Sequence, residues 1–74
     1  MTREKAIDLV KNDIQECDPK ELTLISEYVA IRTPFNNWEV TCKYRKTIVT
    51  PVGQLIDSVT YIVSDDGTVL VLPE

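Results

Sequence analysis

Apolar residues near the start of the chain recur at helical spacing. The steps of three and four residues predict a helix over residues 3–17. One face of this helix is apolar and consists of Ala6, Ile7, Leu9, Val10, Ile14 and Cys17. Thr2 is a suitable N-cap, and Pro19 ends the helix because proline disfavours helical geometry at the residue before it. The segment Asp18-Pro19-Lys20-Glu21 also has the composition of a helix start, which leaves a short second helix open.

From residue 24 the pattern changes to the alternation of β-strands. It is clearest where apolar residues alternate with polar ones from Trp38 to Arg45. Thr50–Gly53 and Asp65–Gly67 have the composition of turns, and Pro73 ends the last strand. The pattern predicts strands at about 24–32, 38–49, 55–64 and 69–72.

The alternation also predicts which side chains face the helix. Residues opposite each other in an antiparallel pair point to the same face. We therefore expect Val40 opposite Val63, Cys42 opposite Tyr61 and Tyr44 opposite Val59. The same register sets Lys46 opposite Asp57.

The last hairpin directs aliphatic side chains away from the helix. Pairing Ser64 with Thr68 places Val69 and Val71 on the core face and leaves Leu70 and Leu72 beside Ile62 on the outer face. An apolar patch on an edge strand is typical of a binding surface. The predicted partner-binding residues are these three aliphatic side chains and two acidic residues at their rim: Ile62, Leu70, Leu72, Asp65 and Asp66.

These elements predict a single α+β domain spanning residues 1–74. Its N-terminal helix packs across a four-stranded antiparallel β-meander, which buries the apolar face of each layer. The loop from Thr33 to Asn37 carries Phe35, which we expect to fold back over the end of the core rather than to act as a recognition tip. No apolar run is long enough for a membrane span, and no secretory signal is evident.

Composition narrows the classes of function. The 74 residues include 8 Lys and Arg, 12 Asp and Glu and no histidine, which gives a formal net charge of −4. An acidic chain whose only basic cluster is Lys43, Arg45 and Lys46 is a poor nucleic-acid binder. Without histidine there is no Ser-His or Cys-His pair, and neither glycine belongs to a phosphate-binding loop. We therefore expect no catalytic residues, no cofactor and no metal site.

The two cysteines lie too far apart in sequence for a metal motif. Both fall on predicted core faces, so we interpret Cys17 and Cys42 as buried reduced thiols of a cytoplasmic protein. A disulfide between them remains open at this point. Asp65 and Asp66 lie on a hairpin tip, where we expect water to keep the pKa of each carboxyl ordinary.

The order of elements resembles a known class of small proteins. An N-terminal helix leads to an aliphatic strand, then to RTPFNNWEVTCKYR and VTYIVSDDGTVLVLPE. This arrangement resembles the small immunity proteins of bacterial polymorphic-toxin systems and, more broadly, PepSY- or cystatin-like helix-plus-meander domains. Pro34, Phe35, Trp38 and the segment 59–67 carry the resemblance. It implies a cytoplasmic protein that neutralises a cognate protein without catalysis.

The leading hypothesis is thus a protein-interaction domain of the immunity or inhibitor type. The alternative is a structural domain that forms a homodimer through its C-terminal strand. A small-ligand or enzymatic domain would require a cavity between helix and sheet lined by Cys17, Cys42, Tyr44 and Tyr61. A core of this size is more readily filled by its own side chains.

Overall fold

A helix and a four-stranded antiparallel sheet form the chain over residues 1–72, the part that the computed structural model describes. The expected α+β class is confirmed. Pro73, expected to end the last strand, lies outside the described residues. The sheet order is β1-β2-β3-β4. In chain order the elements are helix α1 (Arg3–Cys17), a 3₁₀ helix (Pro19–Leu24), and strands β1 (Ile25–Arg32), β2 (Asn37–Val49), β3 (Leu55–Ser64) and β4 (Val69–Val71).

Helix α1 has the predicted bounds, but its buried apolar face is shorter than the predicted one. The Thr2 hydroxyl accepts a hydrogen bond from the Lys5 amide at 3.2 Å and caps the helix. Cys17 is exposed, so its predicted place in the core is wrong. It is the last helical residue, and periodicity does not indicate how far along the helix axis the sheet extends. The buried residues of α1 are Ala6, Val10 and Ile14.

The second short helix exists as the 3₁₀ helix. Its first turn begins with Pro19, and the Asp18 carboxylate accepts a hydrogen bond from the Lys20 amide at 3.2 Å. The Tyr44 hydroxyl donates a hydrogen bond to the Glu21 carboxylate and thereby ties this helix to β2. The 3₁₀ helix is therefore fixed beside the sheet rather than free in a loop.

A β-bulge in β1 explains its imperfect alternation. Ile25 pairs with Tyr44, whereas Glu27 pairs with Lys43, so Ser26 is the extra residue. The Ser26 hydroxyl donates to the Lys43 carbonyl at 3.2 Å. The bulge lets Ile25 enter the core at 4% exposure while later odd-numbered residues of β1 face outward.

The pairing of β2 with β3 has the predicted faces but a different register. Val40 pairs with Tyr61 and Cys42 with Val59, two residues away from the predicted partners. A shift of two conserves the face of every side chain, so patterning cannot distinguish the two registers.

The predicted pairing of Lys46 with Asp57 is also wrong. The ladder is interrupted between Lys43 and Ile48, where β2 has more residues than β3. Beyond this irregularity Ile48 pairs with Ile56.

The sheet contributes the other buried residues of the core, which form one cluster with those of α1: Ile25, Val40, Cys42, Tyr61 and Val63.

The three hairpins share one loop design. In each, the residue before a three-residue loop donates its amide to the carbonyl of the residue after it: Thr33 to Asn37, Thr50 to Gln54 and Ser64 to Thr68, at 2.9–3.0 Å. The last loop residue has positive φ in every case: Asn36 at 59°, Gly53 at 84° and Gly67 at 93°. The predicted Ser64–Thr68 pairing is therefore present.

Candidate interaction surface

The sheet face opposite α1 carries cross-strand rows of side chains. One row consists of Ile31, Glu39, Ile62 and Leu70, which are successive partners across the four strands. The neighbouring row begins with Val29, Thr41 and Thr60, whose two threonine hydroxyls lie 3.3 Å apart, and ends at Leu72, whose amide donates to the Thr60 carbonyl at 2.9 Å. The face is thus aliphatic along β1 and toward β4, and polar at Glu39, Thr41 and Thr60.

The predicted aliphatic patch is present on this face. Ile62 and Leu70 are direct cross-strand partners, and Leu72 lies diagonally beside Ile62. Leu70 is 58% exposed, Leu72 is 41% exposed and Ile62 is half-buried. These three side chains form an apolar patch at the β4 edge of the surface, called here the β4 patch.

The open edge of β4 can accept another strand. Ser64 with Thr68 and Thr60 with Leu72 are hydrogen-bonded pairs of the β3–β4 ladder. Because hydrogen-bonded and non-hydrogen-bonded pairs alternate in antiparallel sheets, the backbone groups of Val69 and Val71 point away from β3. The β4 patch therefore borders a free row of donors and acceptors.

One of the two predicted rim acids is held by an arginine from the far edge of the sheet. The Arg32 guanidinium donates to both carboxylate oxygens of Asp65, at 2.7 and 3.1 Å. It also lies over the Trp38 ring, 5.7 Å from the centroid. The contact links the end of β1 to the β3–β4 hairpin across β2.

The carboxyls of this hairpin do not have ordinary pKa values, contrary to expectation. The hydrogen bonds from Arg32 lower the pKa of Asp65. The pKa of Asp66 is lowered chiefly by the Thr68 amide, which donates to its carboxylate at 2.9 Å. Both acids are therefore held by hydrogen bonds, Asp65 from Arg32 and Asp66 from Thr68, and both remain exposed at the rim of the β4 patch.

Replacing Arg32 with glutamine should raise the pKa of Asp65 toward its ordinary value. An Asp pKa that is lowered in the folded state stabilises the fold above the unfolded pKa and loses that effect as pH falls through the folded pKa. The difference in free energy of unfolding between wild type and Arg32→Gln should therefore become smaller as the pH falls below about 4. Carboxyl NMR titration checks the pKa, and Asp66 is the internal control because its donor is Thr68. An unchanged Asp65 titration would contradict the role of Arg32.

The β1–β2 loop, at the same end of the sheet as Asp65, exposes an aromatic ring. Phe35 is 82% exposed, so the expectation that it closes the core is wrong. The Thr33 hydroxyl accepts a hydrogen bond from the Phe35 amide at 3.2 Å and donates one to the Asn37 side chain. These bonds and the positive φ of Asn36 hold the loop in a conformation that directs Phe35 into solvent.

A second exposed aliphatic group was not predicted. At the opposite end of the sheet, Val49, Val52 and Leu55 are 64%, 80% and 72% exposed. They belong to the β2–β3 hairpin, where Val49 pairs with Leu55 and Val52 lies in the loop. A valine inside a turn was the available signal, because turns favour polar residues, glycine and proline.

Both cysteines are free thiols, and the described residues include no cluster of metal ligands. Cys17 and Cys42 are free thiols, the second buried at 0% exposure, so the disulfide left open by the sequence is not formed. Burial raises the pKa of the Cys42 thiol to about 12. Among residues 1–72, no three His, Cys, Asp or Glu side chains lie close enough to hold a metal ion. No helix in that range has the length and apolarity needed to cross a bilayer.

Comparison with known proteins identifies no relative. No protein-family model matches the chain, and neither the curated proteins nor the solved structures contain a significant match.

Proposed function

We propose that this chain is a non-catalytic protein-interaction domain that binds a protein partner through its outer sheet face and the β4 edge. The observation that carries the proposal is the combination of the β4 patch with the backbone groups of Val69 and Val71, which no strand within residues 1–72 pairs on their outer side. An added strand would gain backbone hydrogen bonds from the edge, and its side chains would gain apolar contacts with Leu70 and Leu72.

The rim of the patch suggests the charge of the partner. Asp65 and Asp66 are ionised at neutral pH, because an Asp carboxyl ordinarily has a pKa of about 4 and hydrogen bonds lower the pKa of both further. Asp65 is already paired with Arg32, so Asp66 is the freer of the two. A partner with a basic residue beside an apolar strand or face would complement this rim, and the net charge of −4 would favour its encounter.

The biological role that fits this surface is inhibition of a cognate protein. The resemblance to immunity-type proteins, carried by Pro34, Phe35, Trp38 and the segment 59–67, motivates that role. We also propose a cytoplasmic location, which the free thiols of Cys17 and Cys42 support because thiols stay reduced there.

Self-association through β4 is the second candidate, and the edge geometry favours it. The outward backbone groups of Val69 could pair with those of Val71 of a second copy, and the reverse, around a two-fold axis at Leu70. This antiparallel pairing would bring the two Leu70 side chains together on the outer face. No charged side chain occurs between Thr68 and Leu72 to oppose it.

Site-specific photocrosslinking tests the surface. A benzoylphenylalanine residue replaces Leu70 in one variant and Gln15 in a control variant, and both are expressed in the native cells. Gln15 is exposed on α1, on the opposite side of the sheet. We expect one discrete adduct, identifiable by mass spectrometry, from position 70 and none from position 15.

Binding by the purified partner completes the test. A Leu70→Asp, Leu72→Asp variant should bind it at least about tenfold more weakly, whereas Gln15→Asp should bind as wild type does. Circular dichroism checks that both variants fold. Unchanged binding by the folded double variant would refute the proposal. Adducts consisting only of self-copies, with a light-scattering mass twice 8.4 kDa, would favour the homodimer.

A further inference from the structure

The β2–β3 hairpin extends beyond the other two strands. On one side, the last partner that β1 offers to β2 is Ile25, opposite Tyr44. On the other side, the β4 segment reaches Thr60 of β3 through the Leu72 amide. Residues 45–57 therefore form a two-stranded ribbon, called here the arm, whose β2 edge is not covered by β1.

A groove lies where the arm leaves the body of the protein. Its volume is about 220 Å³. One wall comes from the end of the 3₁₀ helix and the other from the β2 side of the arm. The residues that line it are Thr23, Leu24, Arg45, Lys46 and Ile48. The exposed Leu24 and the half-buried Ile48 make it apolar, and the two bases give it positive charge.

Charge is segregated along the chain in a way that singles out this groove. Three of the eight Lys and Arg residues lie between residues 40 and 57, and Asp57 is the one acid in that range. Of those three bases, Lys43 pairs with Glu27 at 3.8 Å. Arg45 and Lys46 form no salt bridge with any residue in the range 1–72. An otherwise acidic protein thus presents, beside an apolar groove, two cations that form no salt bridge within residues 1–72.

We propose that this groove binds an extended acidic–aliphatic segment of a protein partner, laid along the open β2 edge of the arm. Backbone groups of the segment pair with β2 beyond Tyr44, in the position that β1 leaves empty. An aliphatic side chain of the segment packs against Leu24 and Ile48. Its carboxylates lie near Arg45 and Lys46 and neutralise them.

The chemistry of the arm disfavours two other occupants. Residues 45–57 contain no aromatic side chain on which a nucleobase could stack. A bilayer would contact the exposed aliphatic tip at Val52, but it offers no hydrogen-bonding partners for the open β2 edge. A peptide strand satisfies the groove, the cations and the edge together.

This site is independent of the proposed function. The groove and the β4 patch share no residue, so either can fail without the other.

Peptide selection tests the proposal directly. A phage-displayed library of random octapeptides is panned against the full chain, and enriched peptides are synthesised with a fluorescent label. We expect enrichment of sequences that combine Asp or Glu with Leu, Ile or Val. Fluorescence anisotropy should then show binding at least about tenfold weaker for the Arg45→Glu, Lys46→Glu variant.

The matched control reverses the same two residue types elsewhere. Arg3→Glu, Lys5→Glu changes the net charge by the same amount on the exposed first turn of α1. It should bind the peptide nearly as wild type does. Amide NMR shifts on peptide addition should cluster at Thr23, Leu24 and residues 45–48.

Other outcomes would overturn the proposal. They are the absence of enrichment, selection of basic peptides, equal loss of binding in both charge variants, and shifts confined to the β4 patch. Co-sedimentation with phosphatidylglycerol vesicles, abolished by Val52→Asp while no peptide binds, would instead identify a membrane contact.

Discussion

Replacing Val40 with alanine should lower the free energy of unfolding by about 2–3 kcal/mol. Val40 has 0% exposure and lies on the face of β2 that packs against α1, in the core cluster with Val10, Cys42 and Val63. The substitution removes two buried methyl groups and leaves a cavity that the surrounding strands can close only in part. A domain of this size has a total stability of roughly 4–11 kcal/mol, so the loss is a large fraction of it.

The same substitution farther along β2 is the matched control. Val49 is 64% exposed on the arm, so Val49→Ala should change the free energy of unfolding by less than about 0.5 kcal/mol. Urea unfolding followed by Trp38 fluorescence measures both variants. Equal losses for Val40→Ala and Val49→Ala would contradict the assignment of the core face.

The sequence predicted which residues of β2 and β3 face the core, because the alternation of apolar and polar residues separates the two faces of a strand. Val40, Cys42, Tyr61 and Val63 are all buried, as their alternation with polar residues indicates. The alternation does not show how many residues belong to the β2–β3 loop or to irregular parts of the strand pairing. The register was therefore off by two, and the irregularity between Lys43 and Ile48 could not be seen.

The bulge at Ser26 shows a second limit. Ile25, Val29 and Ile31 share one parity with Glu27, so alternation alone assigns them to one face. The bulge divides them, with Ile25 in the core and Ile31 exposed on the outer sheet face. A bulge depends on contacts between strands, such as the bond from Ser26 to the Lys43 carbonyl, and leaves no periodic signal.

The two candidate sites differed in how far the sequence could predict them. The β4 patch was predictable because the Asp65–Gly67 turn fixes the hairpin register and hence the face of Leu70. The groove was not, because it requires the 3₁₀ helix to lie beside β2 beyond the end of β1. The basic cluster of Lys43, Arg45 and Lys46 was visible in the sequence, but its apolar surroundings are a product of the tertiary fold.

Alkaline pH should unfold the protein, beginning near pH 9 and continuing toward pH 12. Burial raises the pKa of Cys42 from 9.0 to about 12 and that of Tyr61 from 10.0 to about 12, and in both cases nearby Glu21 adds to the rise. Burial, and then the hydrogen bond to Glu21, also raises the pKa of Tyr44. Each group is uncharged while protonated and becomes an anion when it loses its proton. Burial in the folded protein disfavours that anion.

The sign of the effect follows from proton binding. Between the unfolded and the folded pKa the native state retains a proton that the unfolded state has lost, so stability falls as pH rises. The stabilisation is complete below the unfolded pKa and lost as pH passes through the folded one. The thiol acts from about pH 9, whereas the tyrosines act from about pH 10.

A valine at position 42 should separate the thiol from the tyrosines. Cys42→Val keeps an apolar side chain of similar size, so stability at pH 7 should change by less than about 1.5 kcal/mol. The decline between pH 9 and 10 should flatten, while the decline above pH 10 remains. Cys17→Val is the control, because it removes a thiol that is exposed rather than buried. The midpoints of urea unfolding, measured from pH 7 to 11, test this prediction. An identical pH profile for wild type and Cys42→Val would mean that ionisation of the buried thiol is not coupled to folding.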